Sequence, residues 1–294
     1  MKKYSGLNKI TLFDIFIAVA LIIVGILVLY PLIFVLSASI SDPVEVNGGN
    51  VVLFPKGLQF DGYKEVFKSK WIMIGYRNSL FYTIVGTMLN LICTLMAGYV
   101  LSRRDLFGRK MWNWYIAIPM WFSGGLIPTF LLIRNLGMFN TRWALLIPGM
   151  LNVWNMIVCR TYINSTIPDE MFEAASIDGC GYFRFWFRMV LPLSAAIIAV
   201  LTLWYAIGHW NSYFNALVYV YDPKKQPLQL YLRSLLVTEM AADFSDVDVV
   251  TESLGIQELM KNSMILIACL PLWILYPFVQ RYFVEGVMIG SVKG

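Results

Sequence analysis

The sequence is poor in charge and in the residues that metal and nucleophilic chemistry require. Only 14% of its 294 residues are charged, against about 25% in soluble domains, so there is too little polar surface to cover a water-soluble fold. One histidine, His209, excludes a histidine metal cluster, and four scattered cysteines without a CxxC pair suggest neither a zinc site nor a disulfide framework. The absence of any Gly-Lys dipeptide excludes a P-loop. We therefore expect no catalytic residue, metal ion or cofactor in this chain.

Apolar residues are abundant instead, at 59% of the chain, and they occur in long uncharged runs. About 20 apolar residues cross a bilayer as a helix. The runs predict six membrane spans, at 15–41, 78–102, 111–133, 143–162, 193–221 and 263–280. The fourth run ends at Cys159, and we extend it by about one turn to reach spanning length. Prolines lie inside four of the runs, so we expect an all-α integral membrane protein built as one kinked bundle over residues 1–294.

Lysine and arginine in the short connecting segments predict the orientation in the membrane. Residues 1–11 carry three lysines and residues 102–110 carry four cations, whereas 134–142 on the opposite side carries two. We therefore expect both termini in the cytoplasm, with 42–77 and 222–262 outside as ordered caps, including a short helix over 228–240. The chain contacts membrane lipid. Nucleic acid is not an expected partner, because no folded domain with a basic face is predicted.

The uncharged runs also bear on how transport could be driven. Ion-driven carriers usually keep ionisable groups at membrane depth, and these six uncharged runs contain no Asp, Glu, Lys or Arg. A self-contained secondary carrier is therefore the less favoured alternative. Neutral polar side chains are present instead, and we expect most of them, including Asn90 and His209, to form hydrogen bonds between helices.

The predicted internal loop 165–192 has the pattern of a helical elbow. Thr166 is a candidate N-cap for a first helix with Asp169 and Glu170 in its first turn. Gly179 or Gly181 could supply a left-handed stop. A second, aromatic-rich helix is expected over 182–191, ending at Pro192, where the fifth span begins. From the residues alone, an interfacial helix on lipid and a docking element for another protein are equally compatible with this loop.

A family resemblance rests on this loop. Glu173-Ala174-Ala175, three residues, Gly179, nine residues and then Met189-Val190-Leu191-Pro192 resembles the EAA signature of ABC importer permeases, with methionine where isoleucine is usual. The segments Asn78-Ser79-Leu80 and 98–103 are similar to the maltose-type carbohydrate-uptake subgroup. The tail 276–294 resembles the oligosaccharide and lipoprotein-dependent permeases of Gram-positive bacteria.

The resemblance implies an assembly in the bacterial plasma membrane. This chain would pair with a second permease subunit, two ATPase subunits that bind ATP and Mg, and an extracellular solute-binding protein. The fold implied is that of a type I ABC importer permease, with 165–192 as the coupling loop. The residues implied to couple it to the ATPase are Glu173, Ala174, Ala175, Asp178, Gly179, Leu191 and Pro192.

Spans four and five suggest the substrate. They combine aromatic rings with amide and hydroxyl groups, as the CH faces and hydroxyls of a sugar require. The candidate solute-path residues are Trp154, Asn155, Trp204, Tyr205, Trp210, Asn211, Tyr213 and Asn215. Packing and interfacial anchoring remain alternatives for them, and a permease for a non-sugar solute also remains open.

Overall fold

The computed structural model describes residues 11–242, 259–277 and 280, and these ranges are helical without any strand. The all-α prediction is therefore confirmed for the described part of the chain. The predictions that concern the amino-terminal lysines, and those that concern most of 276–294, lie outside the described residues. The chain divides into two compact units, one within Met1–Lys68 and Leu235–Ile267 and the other within Ser69–Ser234 and Ala268–Gly294.

The first unit is built on a long apolar helix, α1 (Leu12–Ser39), which begins with a capping box between Thr11 and Asp14. Two short helices follow, α2 (Pro43–Asn47) and α3 (Asp61–Lys68). The hydroxyls of Ser37 and Ser41 hold the intervening segment, since Ser37 Oγ donates to the carbonyl of Leu53 (2.7 Å) and Ser41 Oγ accepts from the amide of Lys56 (3.1 Å). These hydrogen bonds order the segment 42–60 against the end of α1.

The second unit is organised around α4 (Lys70–Ser102), which extends eight residues before the predicted span. It packs along its length against α8 (Val153–Thr166) and α11 (Ala195–Trp210). The shared core is apolar and includes Leu95, Tyr99, Cys159, Ile163, Leu201 and Tyr205. Gly98 permits the close approach of α4 to α8, because a Cβ there would lie 2.8 Å from the Sγ of Cys159.

The third and fourth predicted spans are broken helices. The third contains α5 (Arg109–Ala117), a 3₁₀ turn at Ile118–Met120 and α6 (Leu126–Asn135), with Gly125 at φ +84° between the last two. The fourth consists of α7 (Trp143–Leu146) and α8, separated by 147–152. Proline lacks a backbone donor, and Pro119 and Pro148 lie at these breaks.

Three described helices are long and apolar enough to cross a membrane: α1, α4 and α14 (Leu259–Pro277). A fourth candidate is a bent pair, α10 (Tyr182–Leu193) and α11, with an angle of 80° between them. The fifth predicted span continues after α11 as α12 (Phe214–Tyr219), and the helix expected over 228–240 is present as α13 (Leu228–Ala242). Kinked helices are confirmed, while the count of six spans stays a prediction.

Candidate coupling site

The predicted elbow consists of α9 (Asp169–Ile177) and α10, joined by a tight turn. Gly179 has φ +75°, its amide donates to the carbonyl of Ser176 (3.0 Å), and the amide of Cys180 donates to that of Ala175 (2.9 Å). This pair of bonds is a Schellman motif, which needs a left-handed residue at the Gly179 position. The left-handed stop is therefore at Gly179, while Gly181 begins α10 at φ −77°.

Two details of the elbow differ from the sequence-based expectation. Thr166 is the last residue of α8 and does not cap α9, whose N-cap position is Pro168. The reason is that Ile167 precedes a proline and is pushed to an extended conformation, here φ −118° and ψ 98°. The second helix also continues past Pro192 to Leu193. A π-helical turn at Trp186–Val190 widens the backbone just before the proline ring.

The inner side of the elbow is an aromatic cluster anchored in the core of the second unit. Phe172 of α9 stacks on Tyr182 of α10, with ring centroids 4.8 Å apart, and meets Phe185 edge-on at 5.1 Å. Phe172 and Phe185 are buried. Because the two helices share this cluster, the elbow is a packed unit whose geometry is fixed by its own side chains.

Arg103, in the segment that follows α4, covers this cluster. Its guanidinium carbon lies 3.9 Å from the centre of the Phe172 ring, and only 14% of its side chain is exposed. The same guanidinium is 3.2 Å from Asp105 and 3.6 Å from Asp169 in the first turn of α9. A cation–π contact in a desolvated position with two carboxylate partners fixes the first turn of α9 to the end of α4.

Asp105 connects the same segment to α10. The hydroxyl of Tyr182 donates to its carboxylate, and this hydrogen bond, followed by the charge of Arg103, lowers the pKa of Asp105 below its ordinary value. The same bond raises the pKa of Tyr182, because the carboxylate disfavours loss of the hydroxyl proton. Both helices of the elbow are thus attached to the short segment between α4 and α5.

The outer side of the elbow is free within the described residues. Glu173, Ala174, Asp178 and Gly179 are exposed, and Ile177 is 88% exposed. Ala175 and Leu191 are partly buried and Pro192 is exposed. Neither Glu173 nor Asp178 forms an ion pair with another described residue, so both carboxylates are available to a partner. The surface combines small side chains, an isolated apolar side chain and acidic groups.

Three of the candidate solute-path residues lie inside the second unit. Tyr205 is buried, and its hydroxyl is 2.7 Å from that of Thr94. The indole N–H of Trp210 donates to the carbonyl of Ala268 (2.8 Å), and this side chain is also buried. Asn155 is buried near the start of α8, where its backbone N–H donates to the side-chain oxygen of Asn152 (3.1 Å). The side chains of Tyr205 and Trp210 are therefore engaged within the chain.

The other five candidates, Trp154, Trp204, Asn211, Tyr213 and Asn215, are exposed. Asn211 follows the last residue of α11, and Tyr213 and Asn215 lie at the start of α12. The guanidinium carbon of Arg233 in α13 lies 5.9 Å from the centre of the Tyr213 ring. Aromatic, amide and cationic groups therefore occur together where α11, α12 and α13 meet.

Comparison with known proteins identifies the family of this chain. A permease protein of the Bacillus subtilis polygalacturonan/rhamnogalacturonan transport system, YtcP, is 35% identical over 288 residues, covering 97% of this chain and 100% of the relative. The chain belongs to the permeases of carbohydrate ABC transport systems. No protein-family model matches it. Protein LplC of Bacillus subtilis is 36% identical over 272 residues, covering 92% of this permease and 91% of LplC.

A solved structure supports the same assignment. The crystal structure of a bacterial ABC transporter involved in the import of the acidic polysaccharide alginate contains a chain that superposes on this permease with a TM-score of 0.85 and 34% identity. The match covers 96% of this permease and 100% of that chain. The resemblance to Gram-positive sugar permeases is confirmed, and the chain is an integral membrane protein of an ABC importer family.

Sequence reasoning missed the residues that support the elbow. Arg103 entered the sequence analysis only as a loop cation and Tyr182 only as part of an aromatic-rich helix, and Asp105 was not considered. Arg103 lies in the segment 98–103 that resembles the family, and a cation directly after a long helix and before an acidic residue was the available signal. Nothing in the sequence indicated that its partner would be Phe172, 69 positions away.

Proposed function

We propose that this permease translocates an oligosaccharide inward as one half of a heterodimeric, ATP-driven importer. In this proposal, a second permease subunit completes the membrane pathway, and two separate ATPase subunits bind ATP and Mg and perform the hydrolysis. An extracellular solute-binding protein delivers the sugar. Both termini lie in the cytoplasm of a bacterium, and the chain itself binds no cofactor.

The observation that carries the coupling role is the exposed outer side of a supported elbow. Glu173, Ala174 and Gly179 of the EAA pattern are exposed, while Phe172 and Asp169 on α9 are held by Arg103. A force on the outer surface is then transmitted to the segment after α4 and, through α10, to α11 beyond the 80° bend. Glu173 would bind a cationic group of the ATPase, and Ala174 and Ala175 would permit close approach.

The coupling role predicts that Glu173→Lys and Gly179→Pro separate ATP hydrolysis from uptake. Proline cannot adopt the φ of +75° found at Gly179, and lysine reverses the charge presented to the partner. In the importer reconstituted with its ATPase and binding protein, we expect at least tenfold lower uptake per ATP hydrolysed. Membrane insertion should be normal.

The matched control is Glu45→Lys, which changes the same charge in α2, on the predicted external side, and should leave the coupling ratio unchanged. Normal uptake by both elbow variants would refute the coupling assignment. Solute uptake by this chain alone in liposomes without ATP would favour a self-contained carrier instead.

The substrate that the relatives favour is an acidic oligosaccharide. One relative is named for polygalacturonan and rhamnogalacturonan, and the similar solved transporter is described as importing alginate. Uronic acid units carry a carboxylate beside their apolar ring face. Tyr213 with Arg233 offers the matching pair of an aromatic face and a guanidinium. A neutral oligosaccharide is the second candidate, favoured by the absence of charge in the six uncharged runs.

A further inference from the structure

A cavity of about 690 Å³ lies between the first turn of α5 and the end of α8. Its walls carry four cationic side chains and two amides, namely Arg104, Arg109, Lys110, Arg160, Asn113 and Asn164. No carboxylate lines it among the described residues. Four cations around one concave space form a strongly positive pocket, which attracts and concentrates anions.

The cations are held beside one another by hydrogen bonds. Asn113 accepts a hydrogen bond from the Arg160 guanidinium and donates to the carbonyl of Arg109 (2.7 Å). The Nε of Arg109 donates to the carbonyl of Leu101 (3.2 Å). Arg160 Nε is buried and has no hydrogen-bond partner in the described structure. Asn113 thus holds the Arg160 guanidinium beside the start of α5, and an anion would complete this arrangement by accepting from the unpaired Arg160 Nε.

The cations of this pocket differ in how they are neutralised. Arg104 is paired, since its Nε lies 2.7 Å from Asp169. Arg109, Lys110 and Arg160 form no ion pair with any described residue. Three uncompensated positive charges therefore remain in the pocket, while the paired Arg104 closes one side of it.

The backbone at the start of α5 adds to the positive potential of the pocket. The N-cap of α5, Gly108, has φ +67° and provides no side-chain hydrogen bond, and the first turn holds Arg109 and Lys110 without an acidic residue. Cations at the positive end of a helix dipole are unfavourable. An anion at that end would relieve the repulsion and could accept from backbone N–H groups at the start of the helix.

The surroundings of the pocket suit a lipid molecule. Met111 and Tyr115 on α5 are 61% and 68% exposed. A second cavity of about 460 Å³ lies between α4 and α5 and is lined by apolar side chains, among them Leu101 and Trp112. Leu101 joins the two cavities, because it lines the apolar one and its carbonyl accepts from Arg109 in the basic one.

We propose that the basic pocket binds the phosphate headgroup of an anionic phospholipid, with an acyl chain in the adjacent apolar cavity. The phosphate oxygens accept from Arg109, Lys110 and Arg160 and from the first turn of α5. The proposal rests on the membrane placement of the chain and not on the coupling role of the elbow, so a binding measurement tests it independently of transport. A phosphate ion and an acidic protein segment offer related chemistry, and the test separates them.

The test measures quenching of Trp112 fluorescence by brominated lipids in the purified, assembled importer. Brominated phosphatidylglycerol is titrated against brominated phosphatidylcholine, and the Trp112 signal is the difference between the wild type and a Trp112→Phe variant. We expect phosphatidylglycerol to be preferred at least tenfold. Arg109→Gln and Lys110→Gln should each reduce the preference about fivefold, which is the effect of one cation near an anionic membrane surface. Lys110 is exposed, so its variant should fold even if the Arg109 variant does not.

The matched control is Arg188→Gln, an exposed cation of α10 outside the pocket, which should leave the preference unchanged. Equal quenching by the two lipids would overturn the proposal. Loss of the preference in millimolar inorganic phosphate at constant ionic strength would assign the pocket to a free anion. A preference found in the isolated chain but absent from the assembled importer would assign the pocket to an acidic segment of a partner.

Discussion

Among the glycines that the structure describes, Gly86 in α4 leaves the least room for a Cβ. A Cβ there would lie 2.4–2.8 Å from three ring atoms of His209 in α11. The Nε2 of His209 is 2.6 Å from the side-chain oxygen of Asn90, so the ring is held in place against the glycine. The expectation that His209 is a hydrogen-bonded core residue is confirmed.

Asn90 also binds the segment that separates α7 from α8. Its side-chain amide donates to the carbonyls of Gly149 (2.6 Å) and Met150 (3.0 Å) in the break between α7 and α8. Backbone carbonyls in a broken membrane helix need a partner from a neighbouring helix. One side chain therefore supports both the position of the imidazole and the break in the predicted fourth span.

We expect Gly86→Ala to lower the free energy of unfolding by about 1–3 kcal/mol, the usual cost of overpacking a close contact. The added methyl must displace the imidazole and weaken its hydrogen bond to Asn90. Unfolding in a mixed-micelle SDS titration measures the effect. Gly208→Ala is the control, since a Cβ at Gly208 has no neighbour within 4 Å. Equal stability of the two variants would contradict the packing of α4 on α11 described above.

At the scale of the element, the elbow shows how far the sequence could predict the structure. Gly179 was identifiable because a glycine after an apolar helical pattern is the usual left-handed stop. The N-cap of α9 was placed wrongly at Thr166, because the effect of Pro168 on Ile167 outweighs the capping tendency of Thr166. The support from Arg103 was not predictable, since it depends on the tertiary approach of α4 to α9 and on no local pattern.

We expect the Tyr182→Phe substitution to change how the stability of the folded state depends on pH. The lowered pKa of Asp105 means that the folded state favours its carboxylate, so this contribution is present above the unfolded-state value of about 3.8 and is lost as the pH falls through the folded-state pKa. Without the Tyr182 hydroxyl, the pKa of Asp105 should rise. The variant should therefore be less stable than the wild type at neutral pH, and the difference should shrink below about pH 4.

Thermal unfolding in detergent between pH 3 and pH 7 measures this difference. Tyr221→Phe is the control, because Tyr221 is 69% exposed and its hydroxyl forms no hydrogen bond with another described residue. A stability gap that stays constant down to pH 3 would contradict a role for the Tyr182–Asp105 hydrogen bond.

Across the molecule, charged side chains are excluded from the long apolar runs and occur in the segments that flank or connect them. The cations lie outside the uncharged runs and have distinct roles: Arg103 supports the elbow, Arg109 belongs to the basic pocket, and Arg233 lies over Tyr213. Composition alone indicated a membrane protein without catalytic chemistry. The different uses of the arginines depend on tertiary contacts, which is why the sequence-based count treated several of them only as indicators of orientation.

Substitution of Arg233 tests whether the imported sugar is acidic or neutral. If the imported sugar is acidic, Arg233→Gln removes a charge-assisted hydrogen bond to its carboxylate, an interaction worth about 1.5–3 kcal/mol. Uptake of a galacturonate oligosaccharide at low concentration should then fall more than tenfold, while Arg233→Lys should lose less because the charge remains. Arg134→Gln, at an exposed cation of the same predicted side but outside the candidate path, is the matched control. Because a neutral oligosaccharide carries no carboxylate, its uptake should be insensitive to all three substitutions. Equal loss of acidic and neutral sugar uptake in Arg233→Gln would instead assign Arg233 to the structure of the external end.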